Sequence, residues 1–230
     1  FELGIVALDQ GQPVVNVFTN AGAFGLRAQL LPARAFGHPE HVARGVVVAV
    51  VQLGGQVGLD DKTASRYIGV FEQLYLLKRI DVWARNRLNR VVKTSKLQFV
   101  DSGLLAAVLD LSAQEVHQDR TRFGNVLETF VFAELLKHTT TADGDYRLMY
   151  YRDADKFEVD VVLENAAGQL VGVEVKAAAS VREGDLRGLK KLASLAGSQL
   201  KMGVLLYDGT ETTPLGNGIW AAPLSSLWGT

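Results

Sequence analysis

The stretch that decides the fold is FEVDVVLENAAGQLVGVEVKAA, residues 157–178. Two runs of alternating apolar and polar residues flank NAAG at 165–168, and this pattern predicts a β-hairpin. With the turn centred on Ala167, Asp160 lies directly opposite Glu174. Like charges directly across a hairpin destabilise it, so we expect a compensating group beside this pair.

The same alternation predicts what each face of the hairpin carries, because successive side chains of a strand point to opposite faces. A slip of one residue would exchange the two faces, and the alternation argues against such a slip. The apolar face is predicted to hold Phe157, Val159, Val161, Leu163, Val171, Val173 and Val175, and the opposite face Glu158, Asp160, Glu174 and Lys176.

An apolar helix is predicted just upstream, in FGNVLETFVFAELLKHTT at 123–140. Glu128 has apolar neighbours three, four and seven residues away, so its carboxylate is predicted to face the packed side of the helix. Glu134, beside Lys137 and His138, is predicted to face solvent. A buried charge is costly unless it is paired or bound to a metal. If this helix packs on the charged face of the hairpin, three carboxylates and one lysine converge there.

Three carboxylates and a backbone carbonyl suit Mg²⁺, a hard cation that prefers oxygen ligands. Asp160 and Glu174 are the predicted metal ligands, helped by the carbonyl of Val175, and Glu128 is an outer or second-metal ligand. Lys176 would orient the attacking water or stabilise developing charge during phosphodiester hydrolysis. The alternative interpretation is a cross-strand salt bridge from Glu158 to Lys176, with Asp160 and Glu174 on a solvated face.

The rest of the C-terminal half completes an α/β pattern. A strand is predicted in YRLMYYRD at 146–153, an amphipathic helix in VREGDLRGLKKLASLAG at 181–197, and a buried strand in LKMGVLLYDG at 200–209. Helix, three strands, helix and strand predict a mixed sheet flanked by helices. We place this domain at 119–230.

Upstream, residues 56–118 predict a winged-helix-like α+β portion. LDDKTASRYIGVFEQLYLLKRI at 59–80 has an acidic cap followed by helical apolar spacing, and a strand, a basic loop and a second strand follow. Asp101 is a predicted N-cap. The basic loop is either a solvated wing or a DNA contact, for which Arg85, Arg87, Arg90 and Lys93 are the candidates. The other basic residues of this region are Lys78, Arg79 and Lys96.

Composition narrows the class of protein. The 230 residues carry a net charge of −1 and no cysteine, which excludes disulfides and thiolate metal sites and gives no overall bias towards nucleic acid. The longest apolar run, 45–53, is too short to span a bilayer, and no secretory signal is visible, so we expect a cytoplasmic protein without a membrane partner. The first residue is Phe1 rather than Met, which suggests a fragment. Residues 1–55 stay unassigned.

The order of Glu128, Asp160 and the run Glu174-Val175-Lys176 on helix, strand and strand resembles the PD-(D/E)XK restriction-endonuclease-like fold over about 120–210. A closer resemblance covers about 55–228. Its motifs TASRYIGVFEQLYLLKRI, KTSKLQFVDSGLLAAVL, GNVLETFVFAELLK, YYRDADKFEVDVVLE and GVEVKAAASV look like an uncharacterised domain found C-terminal to AAA-type ATPases of bacteria and archaea.

In that family a winged-helix part precedes a nuclease-like part. The resemblance implies that Glu128, Asp160, Glu174 and Lys176 occupy the nuclease-site positions, and that the ATPase domain of a full-length chain is a partner. The chain has no G-x-x-x-x-G-K-[ST] loop, so it does not bind ATP by that route.

Three functions follow as hypotheses. The first is a Mg²⁺-dependent nuclease that acts on DNA under the control of an ATPase. The second is a non-catalytic DNA-binding module, whose affinity would fall steeply with salt. The third is a regulatory or protein-interaction domain of the ATPase, with only weak and salt-insensitive association with DNA.

Overall fold

The structure is a computed structural model that describes residues 60–86, 95–118 and 120–228. Within these ranges, eight strands form one mixed sheet in the order β2-β1-β3-β4-β5-β6-β8-β7. The strands are β1 Leu77–Val82, β2 Lys96–Phe99, β3 Tyr146–Arg152, β4 Glu158–Asn165, β5 Leu170–Lys176, β6 Leu200–Tyr207, β7 Thr213–Gly216 and β8 Ile219–Pro223. The α/β class and the mixed sheet are therefore confirmed.

The α-helices of the described ranges are α1 Asp61–Gln73, α2 Ser102–Val108, α3 Ala113–Gln118, α4 Gly124–Thr141 and α5 Arg187–Ala196. Short 3-10 turns lie at Arg120–Phe123, Glu183–Leu186, Gly197–Gln199 and Leu224–Trp228. None of the helices described here combines the length and the apolar character that a membrane crossing requires.

Helix α1 begins and ends with identifiable caps. The carboxylate of Asp60 accepts hydrogen bonds from the backbone N–H groups of Lys62 and Thr63, as the acidic cap predicted. At the other end Tyr75 adopts a left-handed conformation with φ 57°, and the N–H of Leu76 donates to the carbonyl of Phe71 at 2.9 Å. This is a Schellman ending, in which glycine is the usual left-handed residue. Helix α2 is capped by Asp101, as predicted.

The hairpin β4–β5 has the predicted register. Val161 pairs with Val173 and Leu163 with Val171, and both strands run antiparallel to each other. Gly168 closes the turn with φ 75°, a conformation that glycine adopts without steric cost. The alternation and the turn residues were therefore sufficient to place the two strands.

Helices cover both faces of the sheet. On one face, α4 packs Leu127, Val131 and Leu135 onto the valines of the hairpin, including Val161 and Val173. On the other face, α5 packs Leu189 and Leu192 onto Val159 and Val162 of β4. Packing of this helix on the charged face was only the condition for convergence of the carboxylates, and α4 instead packs on the face that carries Val161 and Val173.

A β-bulge in β4 interrupts the predicted alternation. Met149 of β3 pairs with Val162 and Tyr151 pairs with Val159, so Asp160 and Val161 together oppose the single residue between these β3 positions. A bulge adds one residue to a strand and shifts the facing of the side chains around it. The prediction that Val159 and Val161 share a face is therefore wrong, since they pack in the layers of α5 and α4 respectively.

The sheet extends across the predicted domain boundary at residue 118. Strand β1 pairs parallel with β3, with Asp81 opposite Met149 and Val82 opposite Tyr150. Strand β2 pairs antiparallel with β1 at the edge. The strands expected in a winged-helix-like portion and those of the C-terminal portion are thus joined by main-chain hydrogen bonds.

The end of the chain covers part of α4. Glu134 is buried, whereas the sequence predicted that it faces solvent, and His138 beside it is buried as well. One carboxylate oxygen of Glu134 pairs with Lys137 at 2.6 Å, and the other accepts a hydrogen bond from Trp228 Nε1 at 3.3 Å. The 3-10 turn Leu224–Trp228 causes the difference, because it lies over the side of the helix predicted to face water.

Candidate functional site

Charged side chains from five elements meet beside the bulge. We call this group the carboxylate cluster. Its acidic members are Glu128 on α4, Glu158 and Asp160 on β4, and Glu174 on β5, and its basic members are Lys96 on β2, Arg152 on β3 and Lys176 on β5. The four predicted site residues Glu128, Asp160, Glu174 and Lys176 are all among them.

Asp160 stands where the hairpin ladder stops. The last paired positions of β4 and β5 on this side are Val161 and Val173. Beyond them, Oδ2 of Asp160 accepts a hydrogen bond from the backbone N–H of Val175 at 2.8 Å, so the carboxylate takes the place of a main-chain acceptor. Burial raises the pKa of the Asp160 carboxyl well above its ordinary value, and the negative charges of Glu174 and Glu128 raise it further.

Glu174 lies beside Asp160 and is only 8% exposed. Its Oε1 pairs with the ammonium of Lys176 at 2.9 Å. Its Oε2 is buried and has no hydrogen-bond partner among the described residues, which is costly for a carboxylate oxygen. Burial raises the pKa of Glu174 to about 7, against the opposing effect of Lys176. Either a proton or a cation would relieve this oxygen.

Lys176 keeps its positive charge. Partial burial by itself would lower the pKa of its ammonium, but the carboxylates of Glu174 and Asp160 outweigh that effect and raise it. The side chain is 35% exposed, so an approaching anion can reach it. A permanently protonated lysine cannot act as a general base, but it can stabilise negative charge.

Like Arg152, Lys96 is a member of the site that sequence reasoning missed. It is 2% exposed, its Nζ forms a close ion pair with Oε1 of Glu128, and the same Nζ lies 3.9 Å from Oε1 of Glu158. Two residues on, Gln98 Nε2 donates to Thr129 Oγ1 at 2.6 Å, which fixes β2 against α4. The sequence grouped Lys96 with the basic loop. The one available signal was the apolar surround of Glu128, which required a partner.

Glu158 and Lys176 each pair with another group instead of forming the cross-strand salt bridge of the alternative interpretation. Glu158 lies opposite Arg152 of β3, with 3.8 Å between the guanidinium and the carboxylate, and also near Lys96. Lys176 pairs with Glu174 on its own strand. The acidic and basic members are therefore divided into two halves, one around Glu128 and Glu158 and the other around Asp160 and Glu174.

The two halves differ in how well they fit a divalent cation. In residues 60–86, 95–118 and 120–228, no group of three or more His, Cys, Asp or Glu side chains has an arrangement that could hold a metal ion. Around Glu128 the charge is compensated by Lys96. Around Glu174 the unpartnered Oε2 leaves an acceptor that a cation could use. The acceptor that stays open to a proton or a cation is therefore on Glu174, beside Asp160, whereas Glu128 is engaged by Lys96.

The candidate DNA-contact residues are only partly described. Arg85 is exposed just after β1, while Arg87, Arg90 and Lys93 lie outside the described residues. Of the neighbouring basic residues, Arg79 pairs with Glu72 of α1 at 3.0 Å. The DNA contact stays a prediction.

Comparison with known proteins gives two domain matches. Residues 123–227 match the sequence model of a domain of unknown function, DUF4143, which is known to follow AAA ATPase domains. Residues 40–115 match a second domain of unknown function, DUF8612. The first match contains Glu128, Asp160, Glu174 and Lys176, and the second contains Lys96.

Two curated relatives are similar to most of the chain. They are uncharacterised proteins of Mycobacterium bovis and Mycobacterium tuberculosis, each 22% identical over 183 residues, which is 80% of this chain. The chain spans about 40% of the length of these relatives. No solved structure matches the chain significantly.

Proposed function

We propose that this chain is a nuclease-like module of an AAA-type ATPase, and that the half of the carboxylate cluster around Asp160 and Glu174 binds Mg²⁺ for hydrolysis of DNA phosphodiester bonds. The observation that carries the proposal is the buried, unpartnered Oε2 of Glu174 beside a second carboxyl group. Carboxylate oxygens in this position are the ligands that Mg²⁺ prefers.

The order of the elements supports a restriction-endonuclease-like arrangement. Helix α4 precedes strands β3, β4 and β5, and helix α5 and strand β6 follow. The carboxylates come from α4, β4 and β5, as the resemblance implies for the nuclease-site positions. The match to a domain that follows AAA ATPase domains supports the ATPase as the partner.

Each residue has a defined role in this proposal. Asp160 and Glu174 hold the cation, and Asp160 is oriented by the N–H of Val175. Bound Mg²⁺ would polarise a phosphoryl oxygen and lower the pKa of its water. Lys176, charged and partly exposed, stabilises the negative charge that develops on the phosphate. Glu128 and Lys96 support the site from α4 and β2 without touching the substrate.

The test is metal-dependent cleavage of plasmid and single-stranded DNA by the parent chain and by Asp160→Asn and Lys176→Ala. We expect Mg²⁺-dependent cleavage by the parent, a loss of at least about 100-fold in each variant, and no cleavage with a chelator. Asp155→Asn and Lys201→Ala change exposed residues of the same types and should cleave like the parent.

Thermal unfolding of each variant shows whether the fold is kept, so that a loss of cleavage can be assigned to the site. Equal cleavage by the parent and by both site variants would identify a contaminating nuclease and would overturn the proposal. Cleavage that is insensitive to chelation would overturn the metal role.

A second candidate function is a non-catalytic DNA-binding or regulatory module on a nuclease-like scaffold. The buried ion pair of Lys96 with Glu128 favours it, because an internal cation stabilises part of the cluster without metal. DNA affinity would then fall steeply with salt and would be unchanged in Glu174→Gln. Salt-insensitive association would favour a regulatory role instead.

A further inference from the structure

Lys96 is buried to a degree that is unusual for a lysine. It is 2% exposed, and lysines are almost never fully buried unless they are paired. Its strand β2 lies at the edge of the sheet, yet the ammonium reaches inward to α4 and β4. A side chain with four flexible carbons has been fixed in one position by carboxylates.

The surroundings of Lys96 keep it charged. Removal of an ammonium from water is unfavourable, and burial alone would lower its pKa. The charges of Glu128, Asp160 and Glu158 outweigh burial and raise it. The Nζ atom is therefore a permanent monocation between the carboxylates of Glu128 and Glu158.

Within the ranges that the structure describes, the other half of the carboxylate cluster has no such buried cation. Lys176 pairs with Oε1 of Glu174 and is itself partly exposed. The second oxygen, Oε2, is buried, and no residue in the described part of the chain donates a hydrogen bond to it. The negative charge around Glu128 is thus compensated by Lys96, whereas the negative charge around Glu174 is compensated only in part.

We propose that the ammonium of Lys96 occupies a second cation position of the cluster, between Glu128 and Glu158, so that the chain binds one divalent ion and not two. This inference rests on the proposed cation site at Asp160 and Glu174. Lys96 acts here as a positioning residue that keeps Glu128 and Glu158 from ligating metal. Loss of its charge would open a second divalent site.

The test is the stoichiometry of Mn²⁺ binding, measured by isothermal titration with the intact chain. We expect one ion per chain for the parent and two for Lys96→Gln, whose side chain carries no charge. Lys96→Arg keeps the charge and should bind one ion. Lys201→Gln is the matched control, because Lys201 is an exposed lysine on β6, and it should also bind one.

The outcomes separate this inference from the proposed function. One ion in both the parent and Lys96→Gln would overturn the inference and leave the proposed function in place. No ion in the parent but one in Lys96→Gln would overturn the proposed function and support the internal cation. No ion in either chain would overturn both.

Thermal unfolding keeps the test decisive if Lys96→Gln is poorly folded without metal. Saturating Mn²⁺ should then raise its unfolding temperature more than that of the parent, because two ions bind to the folded state instead of one. The double variant Lys96→Gln/Glu128→Gln removes both charges of the buried pair and should return to one ion. If saturating Mn²⁺ raises the unfolding temperature of the parent and of Lys96→Gln equally, the inference is overturned.

Discussion

Contacts of single residues relieve part of the repulsion between the like charges of Asp160 and Glu174. Asp160 accepts a hydrogen bond from the N–H of Val175, and Lys176 pairs with one oxygen of Glu174. What stays uncompensated is Oε2 of Glu174. The like charges of the hairpin are therefore relieved in part by protein groups, and the remainder depends on a proton or a bound cation.

The raised pKa of Glu174 makes the free energy of unfolding depend on pH. Its pKa rises from the ordinary 4.5 to about 7, so between these values the folded chain binds more protons than the unfolded chain. Stability from this group is therefore full below about pH 4.5 and is lost as the pH rises through 7. At about 1.4 kcal/mol per pH unit, the loss is about 3 kcal/mol.

Glu174→Gln should remove the loss of folding stability that accompanies deprotonation of Glu174. The expected result is a difference between parent and variant in chemical unfolding that grows by about 3 kcal/mol from pH 4.5 to pH 8 in metal-free buffer. Saturating Mg²⁺ should reduce this difference, because the cation replaces the proton. If the free energy of unfolding depends on pH in the same way in both chains, the raised pKa of Glu174 is not the cause.

Tyr75 illustrates backbone strain at a single residue. It has φ 57° at the end of α1 and is 82% exposed. A left-handed conformation costs an L-residue roughly 1–2 kcal/mol, and glycine avoids most of this cost. We expect Tyr75→Gly to stabilise the chain by about 0.5–1 kcal/mol, measured by chemical unfolding.

Tyr67 is the matched control, because it is also an exposed tyrosine but lies within α1. Tyr67→Gly should destabilise the chain by about 1 kcal/mol, since glycine is a poor helix former. Changes of the same sign in both variants would show that the local backbone conformation is not the cause.

At the scale of elements, the contact of α5 with β4 depends on one glycine. A Cβ atom on Gly188 would lie 1.8 Å from the carbonyl oxygen of Glu158, so helix and strand must separate to accept it. Gly188→Ala should cost about 1–3 kcal/mol and shift the strand segment that carries Glu158 and Asp160. No atom of the described residues lies within 4 Å of a Cβ built on Gly184, so Gly184→Ala should change stability by less than about 0.5 kcal/mol. Thermal unfolding of both variants tests this.

The elements also show which features a sequence can predict. The register of β4–β5 and the cap of α1 depend on residues close together in the chain, and both were predicted. The bulge at Asp160 was not, because it depends on the pairing of β4 with β3. The partner of Glu128 was also missed, because Lys96 reaches it from a strand 32 residues away.

At the scale of the whole molecule, the pairing of β1 with β3 joins the two predicted portions. A fragment of residues 119–230 would lose β1 and β2, expose the edge of β3 and leave Glu128 without Lys96. We expect this fragment to unfold at a lower temperature than the full chain, as measured by circular dichroism. A buried charge without its partner costs several kcal/mol.

Addition of a fragment of residues 1–118 provides the control. It supplies β1 and β2 again, so it should bind fragment 119–230 and raise its unfolding temperature towards that of the full chain. If fragment 119–230 alone unfolds at the same temperature as the full chain, the edge strands and Lys96 contribute no stability. The expectation that β1 and β2 stabilise the C-terminal portion would then be wrong.

The parallel pairing of β1 with β3 also sets the order in which the chain assembles. These strands lie about 70 residues apart, whereas the β4–β5 hairpin closes over a four-residue turn. Loop closure favours local contacts first, so we expect the hairpin to form early and the edge strands to dock late. During that interval the carboxylates meet without the ammonium of Lys96. Dissolved cations should therefore speed folding, since they screen a repulsion among the carboxylates that Lys96 reduces once β2 has docked.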